Sequence, residues 1–306
     1  MRKKLSIITV IILIMGFQLA GWAKQTKPAG KFYIVGMGTE ADLITLRALE
    51  VIKKAELILL ENEYERDMWK DLIGAREVWV FRHSARIGLG IDPKTIKDPK
   101  RRKLAEKNRK IREETVKKIT EAVYAGKSVA YLQSGDAMIY GTTYHLELLP
   151  SDIPTEIVPG VGSFQAATAA VKMSPTFGYD TSSVIITMDD WPGRKDVNEK
   201  LMALNSSMIV YTMHLDYPDF FGKLARHYPS DTPVAVVCYA GSPEKQKVIK
   251  STVGKFLKEV AFKKLPPEEH ILLIGRFITA GQARKDGLKH GSDFIRKRHD
   301  PPGEQN

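Results

Sequence analysis

The sequence predicts an α/β protein, with two α/β domains in one chain of 306 residues. Short apolar runs of strand length recur along it, such as KFYIV (31–35) and SVAYLQ (128–133). Segments with helical spacing alternate with these runs, which argues for parallel strands joined by helices. Several runs also stop at glycine turns: GMG after KFYIV, SGD after SVAYLQ and PGVG after TEIVP (155–159). Glycine lets backbone pass close to a ligand or take φ > 0. Strand ends of this kind are where open α/β sheets hold small molecules.

The elements follow in order. KFYIV is a first buried strand, and Leu43 to Lys54 forms a helix with Leu46, Leu49 and Ile52 on one face. ELILL (56–60) and EVWVF (77–81) are the next strands. A basic helix runs from Pro99 to Ala125, capped by Asp98, opened by Pro99 and ended by Gly126. SVAYLQ and TEIVP complete the first half. In the second half the strands are SVIIT (183–187), MIVYT (208–212), PVAVVCY (233–239), KVIKST (247–252) and HILLIG (270–275). Helices at 218–227 and 253–264 separate some of them. The expected divisions are 31–173 and 184–280, with a turn-rich joint at 174–183 and a basic tail at 281–306.

The N-terminus has a basic start, an apolar run and small residues before Lys24. Residues 1–23 are expected to be a signal peptide cut after Ala23, or an uncleaved anchor, followed by a linker at 24–30. The folded part is therefore expected outside the cytoplasm, and inside it if the signal is not used. Membrane contact is expected only through this segment. No cysteine near Ala23 supports a lipoprotein anchor.

Composition narrows the function. With 43% hydrophobic residues the chain can build two modest domains or one large one. Its one cysteine, Cys238, excludes an internal disulfide, a cysteine-rich metal site and c-type haem attachment. Cys238 lies in an apolar run and is expected to be a buried strand residue. The seven histidines form no HExxH or other close pair, so no metal site is expected. The net charge of +11 suits nucleic acid, an anionic surface or a polycarboxylate substrate. Its densest segment, 94–118, lacks interleaved aromatics, which argues against nucleic acid.

Gly36-Met37-Gly38-Thr39-Glu40-Ala41 matches GxGxxA, and Glu61 ends the second strand. That pattern alone reads as a dinucleotide-binding turn and an NAD-dependent oxidoreductase. Two further motifs point elsewhere: YLQSGDAMIYG (131–141) and EIVPGVGSFQAATAA (156–170).

Together with IVGMGTEADLITLRA (34–48), these segments resemble the tetrapyrrole methylase family, S-adenosylmethionine (SAM)-dependent enzymes of corrin and siroheme synthesis. The resemblance covers residues 31–278. It is nearest the precorrin-4 C11-methyltransferase branch, through SVIIT, TPVAVV (232–237) and ILLIGRFI (271–278). It implies two α/β domains with the ligand in the cleft between them, SAM as cofactor, a tetrapyrrole-like substrate and a homodimer.

Residue by residue, the resemblance implies cofactor contacts from Gly36 and Gly38, from Gly135, Asp136, Ala137, Met138 and Ile139, and from Ser163 and Phe164. Met213, Tyr239 and Ala240 complete the set. Gly275 also stands at a strand end. Asp42, Arg47, Arg82 and Arg86 are the substrate-side residues, since arginine pairs with carboxylates through two hydrogen bonds. No residue identifies itself as a catalytic base. The first loop lacks the family's prolines and third glycine, Gly162 replaces a serine, and Thr212 stands where methionine is usual. A non-catalytic, extracytoplasmic tetrapyrrole- or SAM-binding protein on the same fold is the alternative reading.

Overall fold

The structure is a computed structural model describing residues 29–81, 88–141, 143–176, 183–191 and 194–279. The expected leader, Arg82, Arg86, most of the 174–183 joint and the basic tail lie outside the described residues. Among the described residues no helix is long and apolar enough to cross a membrane.

The chain forms two compact units that interleave along the sequence. The first comprises Met1–Gly36, Leu46–Gln133 and Tyr140–Pro159; the second comprises Met37–Thr45, Ser134–Ile139 and Gly160–Asn306.

The first unit is built on five strands: β1 (Phe32–Gly36), β2 (Leu57–Leu60), β3 (Glu77–Val80), β4 (Val129–Gln133) and β5 (Thr155–Val158). Their order is β3-β2-β4-β1-β5, and every pairing is parallel. A parallel sheet is covered on both faces, so its inner strands are continuous apolar runs. Accordingly, all of β2 and β4 is buried.

Helix α1 spans Leu46–Lys54, and a separate 3-10 turn occupies Ala41–Leu43, so the expected helix from Leu43 begins later. Its buried face is Ala48, Val51 and Ile52, while Leu46 is 81% exposed. The expected Leu46–Leu49–Ile52 face is thus rotated. Leu46 lies two residues before Ala48, about 200° away around the helix at 3.6 residues per turn.

Helix α2 spans Pro99–Tyr124 with the expected signals. Asp98 accepts the Arg101 N–H at 2.7 Å, Pro99 opens the helix, and Gly126 follows its end at φ 86°. Its buried face includes Asn108, Arg112 and Thr115 among apolar residues.

The second unit holds β6 (Val184–Met188), β7 (Ser207–Tyr211), β8 (Pro233–Cys238), β9 (Lys247–Thr252) and β10 (His270–Ile274), ordered β6-β7-β10-β8-β9. Only β6 and β7 pair in parallel; β10 runs antiparallel to β7 and β8, and β9 antiparallel to β8. The parallel expectation therefore fails here. A loop too short for a crossover joins β8 to β9, and such a loop permits only an antiparallel return.

Alternate residues of the central strands divide between two cores, as the two-residue period requires. Met208, Val210, Val234 and Leu272 belong to one, and Ile209, Ala235, Ile271 and Leu273 to the other. Cys238 is buried at the end of β8, as its apolar run predicted, and burial pushes its thiol pKa up.

Helices α3 (Ser163–Val171) and α4 (Tyr217–His227) belong to this unit. The expected helix at 253–264 is two short pieces, Phe256–Glu259 and a 3-10 turn at Phe262–Lys264. Val260 breaks it by taking extended backbone at φ −99°, ψ 124° with a buried side chain.

Candidate functional site

The glycine turns gather in the second unit. The chain after β1 carries Met37, fully buried, and then Gly38 at φ 76°. Gly38 forms an antiparallel bridge with Gly135, itself at φ 72° after β4. Gly135 N donates to Gly38 O at 2.8 Å, and Gly38 N donates to Gly135 O at 3.2 Å. A Cβ on Gly38 would stand 2.7 Å from the Leu43 carbonyl oxygen, so both conformation and space require glycine. At Gly135 the nearest atom would be the Gly162 Cα at 3.8 Å, so only the backbone conformation requires it.

Asp136 has a local task. Its Oδ1 accepts the Met138 N–H at 2.6 Å and the Ile139 N–H at 3.1 Å, which folds residues 136–139 into a tight turn. Within that turn Ala137 is buried, Ile139 is half-buried and Met138 is 57% exposed.

Gly162 precedes α3 and packs on this turn: its Cβ would lie 3.0 Å from the Asp136 Cβ and 3.0 Å from Gln165 Oε1. No side chain caps α3, so the amides of its first turn, Ser163 and Phe164 included, lack a side-chain acceptor there. Both side chains are half-buried.

The loop after β8 closes on the same place. Tyr239 takes φ 50°, uncommon for a residue with a side chain, and Gly241 follows at φ 95°. A Cβ on Gly241 would collide with Thr39 Oγ1, lie 2.8 Å from Leu43 Cδ1 and 3.4 Å from the Ala166 Cβ. The first glycine loop, α3 and the 239–242 turn are therefore in contact. Gly241 N donates to Gln246 Oε1 at 2.9 Å, and Ser242 N to Tyr239 O at 3.0 Å. Thr39 Oγ1 is buried with no hydrogen-bond partner among the described residues.

Met213 is half-buried just beyond β7, next to the buried Thr212. Thr212 Oγ1 donates to His270 O at 2.8 Å, and the His270 ring lies between Tyr217 OH at 2.6 Å and Pro266 O at 2.7 Å. Gly275, at φ 140°, packs against Ser207 and Phe277 at the end of β10.

The structure thus brings Gly38, Gly135, Asp136, Ala137 and the Tyr239–Ala240 turn together with the start of α3. Gly36 ends β1. Asp42 is exposed in its 3-10 turn. Arg47 is exposed in the first unit within electrostatic reach of Glu156, whose carboxyl pKa is lowered first by the Lys31 hydrogen bond at 2.6 Å and to a lesser degree by Arg47. Gly241 and Thr39 are site residues that the sequence reading passed over, and Gly162 was noted only as replacing a serine. The Ala-Gly-Ser-Pro turn following an apolar strand was the signal for Gly241.

The dinucleotide reading fails on local geometry. Its fingerprint sets phosphate on a helix that opens at the glycine turn. Here a 3-10 turn intervenes and α1 starts only at Leu46. Glu61, the would-be ribose acid, is 8% exposed and accepts the Tyr131 hydroxyl.

Comparison with known proteins decides the family. Residues 31–257 match Tetrapyrrole (Corrin/Porphyrin) Methylases. The chain belongs to this family.

Among curated relatives of this methylase, the cobalt-precorrin-4 C(11)-methyltransferase of Methanocaldococcus jannaschii is 29% identical over 240 residues, covering 76% of this chain and 81% of that one. The solved structure of a cobalt precorrin-4 methyltransferase superposes with a TM-score of 0.63 at 24% identity, over 81% of this chain and 95% of that one. A uroporphyrin-III C-methyl transferase from Thermus thermophilus, complexed with S-adenyl homocysteine, gives a TM-score of 0.57 at 19% identity, over 81% and 93% of the two chains. These likenesses establish the fold.

Proposed function

We propose that this tetrapyrrole methylase is a SAM-dependent C-methyltransferase acting on a tetrapyrrole substrate. The observation that carries it is the close-packed cradle of Gly38, Gly135, Gly162 and Gly241, three of them at positive φ, with Gly38 bridged to Gly135 and the other three each facing another loop of the cradle. A cradle in which a Cβ on Gly38 or Gly241 would overlap its neighbours fits a ligand held by backbone groups. The uncapped first turn of α3 and the buried, unpartnered Thr39 hydroxyl add polar atoms to it.

In this reading the turns at 36–39, 135–139, 163–164 and 239–240 hold SAM, with Met213 beside them. SAM supplies an electrophilic methyl group on a sulfonium, and the tetrapyrrole supplies the carbon nucleophile. The protein holds the two reactants in line, and such positioning contributes about 7–11 kcal/mol in the best cases. No metal is needed for this chemistry. Asp136 shapes the cradle rather than moving a proton, since its Oδ1 is engaged by two backbone amides.

Arg47, Arg82 and Arg86 are proposed to face the substrate's carboxylates, with Asp42 also on the substrate side. We further propose a homodimer exported by residues 1–23; a sedimentation experiment and a topology reporter fused after Asn306 test these two points. The reaction itself is tested by incubating the protein with a tetrapyrrole and methyl-labelled SAM. Label on a macrocycle carbon supports the reading. Binding of both ligands without transfer would favour the non-catalytic alternative.

A further inference from the structure

Helix α2 has 26 residues, which makes it about 39 Å long, and its charge is uneven along that length. Beyond Asn108 the solvent-reaching cations are matched: Arg109 pairs with Glu113, Lys110 with Glu114, Lys117 with Glu121 and Lys118 with Glu77. Across residues 92–107, by contrast, seven cations meet three acids. Two of those acids are engaged, since Asp92 accepts the Lys94 N–H and Asp98 the Arg101 N–H. Lys94, Lys97, Lys100, Arg101, Lys103 and Lys107 are all exposed, and among the described residues none of them forms an ion pair. Such a block repels itself and gains from an anionic surface.

Two observations make that surface a lipid one. Leu104, 45% exposed, stands among the cations, and Ile91, 51% exposed, borders Arg109, while residues 89–107 contain no aromatic. Cations mixed with exposed apolar side chains suit a lipid interface, whereas nucleic-acid strands are held by interleaved aromatics.

The path of the chain is the second. Gly30 N donates to Val123 O at 3.1 Å, and a Cβ on Gly30 would overlap the Lys127 carbonyl, so the chain enters the first unit against the far end of α2. Residues 5–23 carry no charged side chain, and only six residues separate Ala23 from Gly30, a reach of about 20 Å. With residues 5–23 in a bilayer, α2 is held near its surface at high effective concentration.

We propose that residues 92–107 dock on an anionic lipid surface, with the cations from Lys94 to Lys107 on headgroup phosphates and Leu104 at the acyl boundary. This contact is additional to the N-terminal segment. The tether rests on residues 1–23 acting as an anchor; the docking rests on neither that nor the methyl-transfer reading.

The test labels the full chain at Leu104→Cys with a small apolar fluorophore, since Cys238 is buried and position 104 then carries the exposed thiol. Quenching by headgroup spin-labelled lipid is read in vesicles containing phosphatidylglycerol and in pure phosphatidylcholine vesicles. Strong quenching is expected only with phosphatidylglycerol, and it should fall at least about tenfold in about 1 M salt, where charges are screened beyond about 3 Å. Reversing four charges together, Lys100→Glu, Arg101→Glu, Lys103→Glu and Lys107→Glu, should also abolish it. That variant should melt no lower than the parent, because acids suit the start of a helix. Flotation with phosphatidylcholine vesicles reads the anchor alone, so failure of the tether and failure of the docking are distinguishable. Equal quenching in both vesicles, none in either, or full quenching in the reversed variant overturns the proposal. Loss of quenching on adding duplex DNA at equal charge also overturns it, and would assign the face to nucleic acid.

Discussion

Gly38 and Gly135 exchange both of their backbone hydrogen bonds, although the two residues follow different strands and each sits at positive φ. This pair ties the first glycine loop to the Ser134–Ile139 turn. The two glycines are not equivalent, because a Cβ on Gly38 would press on the Leu43 carbonyl while a Cβ on Gly135 would meet only the Gly162 Cα at ordinary contact distance.

Gly38→Ala should therefore cost more than Gly135→Ala. The first suffers both left-handed strain and contact with the Leu43 carbonyl, about 2–4 kcal/mol together; the second suffers strain alone, about 1–2 kcal/mol. Denaturant melts of the two variants check this. Equal losses would show that the contact at Leu43 does not constrain the loop.

Asp136 separates a charge role from a turn role. Asp136→Asn keeps an oxygen to accept the Met138 and Ile139 amides and should hold S-adenosylhomocysteine affinity within about threefold. Asp136→Ala leaves those amides unpaired and should weaken it at least about tenfold. A large loss in the Asn variant would assign the charge itself to the ligand.

Gly241→Ala should loosen the cradle from the opposite side. The added carbon meets Thr39 Oγ1 and Leu43 Cδ1, and φ is 95°, so a loss of about 2–4 kcal/mol with weakened ligand binding is expected. Thermal melts and calorimetry on one preparation read both effects. Wild-type stability in this variant would mean that the 239–242 turn does not press on the first loop.

These positions also mark what the sequence disclosed. Strands β1, β2, β4, β7, β8 and β10 coincide with apolar runs, because burial on both faces writes itself into consecutive residues, whereas β3 and β9 have no buried residue. Gly38 and Gly135 were legible as glycines at strand ends. Gly241 was legible only as part of the Ala-Gly-Ser-Pro turn; what requires glycine there is contact with Thr39 and Leu43, about 200 residues earlier in the chain, and no local pattern encodes that contact. The broken 253–264 helix escaped for a similar reason: Val260 leaves the helical conformation to bury its side chain.

His145 provides a pH prediction. It is fully buried, it packs edge-on against Phe32, Phe81 and Tyr131 and stacks on Tyr144, and neither ring nitrogen has a hydrogen-bond partner among the described residues. Desolvation pushes its pKa down from 6.5 to about 4, with the Glu61 charge opposing. The folded state thus favours the neutral ring. That stability is fully present above the unfolded pKa and is lost as pH falls from 6.5 through about 4, on the order of 3 kcal/mol. His145→Phe should flatten this slope between pH 7 and pH 4 in denaturant melts. An unchanged slope would assign it to other groups.

The most direct measurement is titration calorimetry of the full chain with S-adenosylhomocysteine, repeated with NAD and with Gly135→Val. The expected result is a micromolar, one-to-one isotherm with S-adenosylhomocysteine, no heat with NAD, and no binding in a folded Gly135→Val variant. Silence from S-adenosylhomocysteine at millimolar concentration, or unaltered affinity in Gly135→Val, would contradict a SAM cradle built on the Gly38–Gly135 pair.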